Sequence, residues 1–395
     1  MARKVQTIPV TGAVLQWARE DREMSLREAA RALKISPAEL TAIEQGSEVS
    51  AKLFRDMRRV YGRTESVLLL SSRPESGTSA VNRRTVPGLR PHAPSLETIR
   101  AIRDGRRIQR VISELVEEDR ELVPFFGLSA ANEADDPESV AVVQRRLIGV
   151  SVDTQHRWKD RPRAFTHWRA IVQGRGILVL NKDMPREDCR GVSLTQGTLT
   201  PVVIVTTDDS AAGRIFTLFH EFGHILLRAG SSCVLSPRTD AEATEHWCNR
   251  FAAAFLMPAE DVRSLVSTKF GHLTKTEWTL EDVTKAATWF RVSPFAMARR
   301  LSDLDQSDYY RRNANELWEA DRKNQRFRNT KQESGIPSPV TSVREMGTTV
   351  GSAIMDAVQR GLLDRADASG VLGIGSAEVD RFERELTEQR HRETT

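Results

Sequence analysis

The sequence predicts a mainly α, α+β protein: an N-terminal helix-turn-helix bundle, a central domain with a small β-sheet, and a C-terminal helical unit. Three observations carry this. Apolar residues recur at helical spacing through most of the 395 residues. The short apolar runs "GILVLN", "RGVSL" and "PVVIVTT", bounded by turn residues, lie together between positions 176 and 207. Two stretches rich in Ser, Pro and Gly, "SSRPESGTSAVNRRTVPGLRPHAPS" and "ESGIPSPVTS", interrupt the periodicity. The expected division is residues 1–70 for the helix-turn-helix domain, 71–95 for a linker, 96–310 for the central domain and 311–395 for the C-terminal helical region.

In the first domain, "VLQWARE" and "LREAARALKI" have the spacing of amphipathic helices. Ser25 is placed to cap the second, and Glu28 three residues on completes a capping box. Ser36 and Pro37 begin the next helix, which ends at Gly46. "SLREAARALKISPAELTAIEQG" therefore reads as helix, tight turn, helix. Beyond the linker, Leu96, Ile99, Ile102, Ile108, Val111, Ile112 and Leu115 mark one face of a long helix. "DDPESVAVVQRRLIGVS" and "AFTHWRAIVQGRG" read as helices ahead of the three strands. "RIFTLFHEFGHILL" and "AEATEHWCNRFAAAFLM" follow as helices, the second stopped by Pro258. Residues 277–304 hold two more, one begun by Ser293 and Pro294, and "ELWEADRKNQRFRN" is a charged helix. The tail has turns at Gly361 and Gly373.

With 39% hydrophobic and 28% charged residues, the chain is expected to be globular and to bury a sizeable core. No apolar run approaches the roughly 18–20 residues that span a bilayer. The basic start "MARKVQTIPVTG" has no apolar stretch behind it, so no membrane partner is expected and the cytoplasm is the expected compartment. Cys189, Cys233 and Cys248 are too few and too scattered for a disulfide framework. A net charge of +4 is small for this length, so nucleic-acid binding has to be argued from a local motif.

The chemistry concentrates in "HEFGH". His220 and His224 are four residues apart, one turn on a single helix face, and can converge on one ion. Glu221 then lies beside that ion rather than on it, where a carboxylate can take a proton from a water and deliver it to a leaving amine. Zinc in such a site lowers the pKa of its water from about 15.7 to about 7. The plainer alternative is a hydrogen-bonded pair of core histidines, and the motif arises by chance in about one chain of this length in a hundred. A third ligand therefore matters. Glu245, 21 residues beyond His224, offers it from the next helix, and Asn249 one turn further on could orient the ligands. Asp240, Glu242 and His246 compete for the role, but the two acids lie nearer an irregular loop and His246 points about 100° away from Glu245. Cys248 reads as a packed thiol. Two histidines and a glutamate favour Zn2+ over manganese.

"FTLFHEFGHILL" followed by "EHWCNRFAAAFLMP" resembles the ImmA/IrrE family of gluzincin-type metallopeptidases, as do the strand region from "HWRAIVQGRGILVL" to "PVVIVTT", the N-terminal helices and "IMDAVQRGLLDRADASGVLGI" of its long form. The likeness covers most of the chain and is strongest over 165–260. It implies a gluzincin-like zincin domain in which His220, His224 and Glu245 bind Zn2+ and Glu221 is catalytic. It also implies an endopeptidase whose protein substrate is a transcriptional repressor or antitoxin, so that cleavage derepresses genes of a stress response or mobile element. Cys248 stands where the family usually has alanine, and Thr206 or Thr207 where an asparagine often closes the strand. These departures touch substrate contacts rather than ligands. An edge strand such as "PVVIVTT" is expected to pair with the extended substrate.

The N-terminal motif resembles the Xre or Cro type, whose second helix enters the DNA major groove. Here that helix, "PAELTAIEQG", has Glu39 and Glu44 and no Lys or Arg, leaving Thr41 and Gln45 for base contacts. Arg27, Arg31 and Lys34 on the preceding helix, and Arg55, Arg58, Arg59 and Arg63 after it, are candidates for phosphates or a protein partner. This composition favours substrate docking or self-association over sequence-specific DNA binding. The competing function is a helix-turn-helix transcriptional regulator or protein-binding sensor with a non-catalytic metal domain.

Overall fold

The computed structural model describes residues 7–22, 24–46, 48–63, 65–73, 82–84, 94–122, 130–195, 200–227, 238–324 and 338–394. Cys233 and most of the irregular loop before Arg238 lie outside them. The chain divides into two compact units, residues 1–79 with 88–100, and residues 80–87 with 101–395. Among the described residues no helix is long and apolar enough to cross a membrane.

The first unit runs β1 (Thr7–Ile8), α1 (Gly12–Glu20), α2 (Leu26–Leu33), α3 (Pro37–Glu44), β2 (Val49–Ser50), α4 (Ala51–Tyr61) and α5 (Glu65–Leu68). Ser25 and Glu28 form the capping box, Ser36 accepts from the Glu39 amide, and Pro37 opens α3. Satisfying otherwise unbonded first-turn amides in this way sets where each helix starts. Val14, Leu15, Trp17, Leu33, Leu40, Ile43, Phe54, Met57 and Tyr61 close around one another as its core. At its edge Arg19 grips Glu44 through two hydrogen bonds of 2.7 and 2.9 Å.

The second unit contains β3 (Asn82–Arg84), the part of α6 (Leu96–Glu118) from residue 101 on, α7 (Pro137–Ile148), α8 (Val152–Arg157) and α9 (Arg161–Gln173). The strands β4 (Leu178–Lys182), β5 (Gly191–Leu194) and β6 (Val202–Thr206) follow, then α10 (Ala211–Leu226) and α11 (Arg238–Leu256). The remainder is helical: α12 (Ala259–Lys269), α13 (Leu280–Trp289), α14 (Pro294–Asp303), α15 (Tyr309–Asn324), α16 (Pro339–Gln359), α17 (Arg365–Leu372) and α18 (Val379–Thr394).

Among the described residues the sheet order is β3-β5-β6-β4, with β4 parallel to β6 and the other pairs antiparallel. Two expectations change here. "PVVIVTT" is an interior strand, flanked by β5 and β4, so its backbone groups are already paired and it cannot take a substrate strand. Within the segment read as a linker, Asn82–Arg84 is a strand on β5, a long-range pairing that no local periodicity announces. The sheet is covered on both faces, which is why its strands read as continuous apolar runs. Val179, Val203 and Val205 enter a core with α9, α10 and α11, while Leu178, Leu180, Val202 and Ile204 enter another with α6, α16, α17 and α18.

The end of α11 is held by buried polar side chains. Arg145 donates to the Phe255 carbonyl at 2.6 Å and to Gln155 at 2.7 Å, Gln155 donates to the Leu256 carbonyl at 3.1 Å, and Arg300 to the Met257 carbonyl at 2.9 Å. The last carbonyls of a helix have no partner within it, and cations there also suit its dipole. Burial pushes the Arg145 guanidinium down to about 10, so it keeps its charge at neutral pH.

Candidate metal centre

α10 begins at Ser210, whose side chain accepts from the Gly213 amide, and lies in the core on its apolar side. Phe219 stacks on Phe255 of α11 at 4.2 Å and meets Trp168 of α9 edge-on at 4.9 Å. Phe222 packs on Phe251 at 5.9 Å. α11 comes close because position 223 is glycine: a Cβ there would stand 3.2 Å from Cys248 Sγ and 3.3 Å from the Phe251 ring. Cys248 is buried in this contact, as a packed thiol should be.

That approach brings three side chains together. His220 Nε2 and His224 Nε2 are 3.1 Å apart. Glu245 places Oε2 at 3.2 Å from His220 Nε2 and Oε1 at 3.1 Å from His224 Nε2. These ligand atoms all lie within 4.8 Å of one another. A tetrahedral ion with bonds of about 2.0–2.2 Å has ligand-to-ligand edges of roughly 3.3–3.6 Å. The triangle is thus close to one face of such a site. Two neutral imidazoles cannot direct lone pairs at each other across this distance without a proton or cation between them, so the donor set fits a divalent ion.

Asn249 Oδ1 lies 3.1 Å from His220 Nδ1. An amide oxygen only accepts, so His220 donates from Nδ1 and keeps the Nε2 lone pair for the centre. Burial pushes the Glu245 carboxyl up, but the hydrogen bonds with His220 and His224 outweigh it and hold the group well below the usual carboxylate range. The histidines are buried and the Glu245 side chain is 37% exposed, so the group meets solvent on the α11 side.

Glu221 is fully buried and is not one of the three converging groups. Its carboxylate faces β5. A Cβ on Gly191 would lie 3.1 Å from Glu221 Oε1 and would collide with the Thr217 methyl, so only glycine lets the β5 backbone come this close. This contact was invisible in the sequence, where Gly191 looks like any strand-end glycine.

Residues 172–302 match the Peptidase_M78 family model, described as the IrrE N-terminal-like domain, and residues 11–69 match a helix-turn-helix domain. The domain order is that of the ImmA/IrrE long form. No curated protein matches the chain. The IrrE-like match spans β4 to α14, and so contains both histidines, Glu221, Glu245 and Asn249.

Glu242 and His246 are not among the three converging groups. Glu242 is exposed on α11, and the side chain of Asp240 lies outside the described residues. His246 is exposed and lines a shallow cleft of about 320 Å³ with Glu133, Asp135, Asp136 and Trp247. Thr206 ends β6 by donating to the Met184 carbonyl and accepting from the Asp208 amide at 3.0 Å.

In the helix-turn-helix domain Arg27, Arg31, Lys34 and Gln45 are exposed. Thr41 is half-buried and donates to the Pro37 carbonyl at 3.0 Å. The later arginines have partners within the unit, although Arg59 stays 77% exposed: Arg58 pairs with Glu65, Arg59 with Asp56, and Arg55 bonds the Ala51 carbonyl. Arg63 pairs with Asp21 and lies over Trp17.

Proposed function

We propose that this chain is a zinc-dependent endopeptidase that cuts a transcriptional repressor or antitoxin and so derepresses genes of a stress response or mobile element. The observation that carries the reading is the convergence of His220, His224 and Glu245 with Glu221 buried beside them but outside the triangle. A purely structural site has no need of that second carboxylate. His220, His224 and Glu245 would hold Zn2+, which when bound supplies Lewis acidity for a water and the scissile carbonyl. Glu221 accepts the proton of the attacking water and passes it to the leaving amine. Asn249 keeps the His220 ring in the ligating tautomer. The aromatic packing of α10 on α11 keeps all of these groups in fixed positions.

In this reading residues 1–70 recruit the protein substrate, 96–310 carry the chemistry and 311–395 brace the sheet. The exposed Arg27, Arg31, Lys34 and Gln45 also support a second reading, a DNA-binding regulator whose metal domain is a sensor. One experiment separates the two. The purified chain, loaded with zinc, is incubated with a repressor-like or antitoxin-like protein encoded beside it. Cleavage that stops on chelation and in Glu221→Gln supports the peptidase; intact substrate with all forms, and DNA binding that survives Glu221→Gln, supports the regulator.

A further inference from the structure

β5 is the strand that reaches Glu221, and its two edges are unlike. One is paired with β6 along its length, inside the sheet. Among the described residues the other is covered by Asn82–Arg84, which run antiparallel to it in the register Asn82 to Ser193, Arg83 to Val192 and Arg84 to Gly191. The end of β3 therefore lies opposite the glycine whose missing side chain brings β5 against the Glu221 carboxylate. No other described element lies between Leu68 and Leu96.

An uncovered strand edge presents unpaired N–H and C=O groups and accepts an extended peptide by strand addition. A peptidase needs its substrate extended and fixed close to the proton-transfer carboxylate. The β5 edge has both properties, and the chain itself already supplies an extended segment there.

We infer that Asn82–Arg84 is an internal occupant of the peptide-docking edge of β5, which an extended segment of the protein substrate displaces in order to reach Glu221. The inference rests on the peptidase reading for the identity of the competitor, while the occupancy itself does not. A short segment at a sheet edge is easily exchanged, since such segments open locally without global unfolding. The fraction of molecules with the edge open then scales the apparent affinity for substrate.

The test uses the full-length chain and a fluorescein-labelled peptide with the sequence of residues 80–87, AVNRRTVP. One variant carries Asn82→Pro with Arg83→Pro. Neighbouring strand residues direct their N–H groups to opposite sides, so one of the two prolines removes a donor to β5. A second variant replaces residues 80–87 by Gly and Ser at equal length. Fluorescence anisotropy should show the peptide binding both variants at least about tenfold more tightly than the unaltered chain. Hydrogen exchange of Val192–Leu194 should slow when it binds. Equal affinity for all three chains overturns the inference, as does binding without protection of β5, or no binding to the variants at millimolar peptide. If both variants lose the fold by circular dichroism, β3 is an integral strand and the inference also fails. None of these readouts requires hydrolysis, so failure of the peptidase reading leaves them interpretable, and their failure leaves that reading standing.

Discussion

α10 and α2–α3 are all capped helices that carry candidate functional residues, but they aim them in opposite directions. α10 turns His220, Glu221 and His224 into the protein, where they meet Glu245 and Asn249 from α11. α2 and α3 leave Arg27, Arg31, Lys34 and Gln45 in solvent, while Glu44 turns inward to Arg19. Buried groups that converge from two helices specify a chemistry, because holding them without a ligand or a reaction is costly. Exposed cations specify only a face, since solvated charges are tolerated almost anywhere. The two regions therefore support functional statements of different sharpness.

The sharpest way to break the contrast is at Glu221. Glu221→Gln should lower peptide cleavage by about 10²–10⁴-fold while leaving metal content, read by atomic emission, unchanged. Loss of metal along with activity would make Glu221 a ligand and remove the distinction between the triangle and its neighbour. Asn249→Ala should weaken metal affinity by about 10–100-fold, measured in competition with a chromophoric chelator, because the His220 ring loses its orienting acceptor.

Gln155→Leu examines the frame instead. It removes donors to the Leu256 and Phe290 carbonyls and the acceptor for Arg145, and should destabilise the second unit by about 2–4 kcal/mol in denaturant melts, leaving the first unit's transition in place. The smallest effect on stability is expected at the exposed face. Arg27→Glu, Arg31→Glu and Lys34→Glu together should shift stability by no more than about 0.5 kcal/mol and leave metal content intact. If that face meets DNA phosphates, the salt slope of binding drops by about three; if it docks a protein, cleavage of the folded substrate slows while cleavage of a short peptide does not.

Helix starts are legible in the sequence where the signal is local. Ser25 with Glu28, Ser36 with Pro37, and Ser293 with Pro294 start helices through hydrogen bonds and dihedral limits three residues in reach. Strand positions were legible for the same reason, but their neighbours were not: β6 looked like a usable edge and lies inside the sheet. The arginines after α3 looked available, yet Arg63 is consumed by Asp21 and Trp17 at long sequence distance.

What this sequence determined by itself is the i, i+4 placement of His220 and His224, the buried setting of their helix, and the caps and turns that bound most elements, all consequences of a 3.6-residue period and short-range hydrogen bonds. The tertiary structure decided the rest. It brought Glu245 rather than Glu242 to the histidines, set Gly191 against Glu221, laid Asn82–Arg84 on β5, and closed the end of α11 with Arg145, Gln155 and Arg300. Each of these joins residues far apart in the chain. Such contacts are selected by how helices and strands pack, and a spacing within one helix or strand carries no record of them.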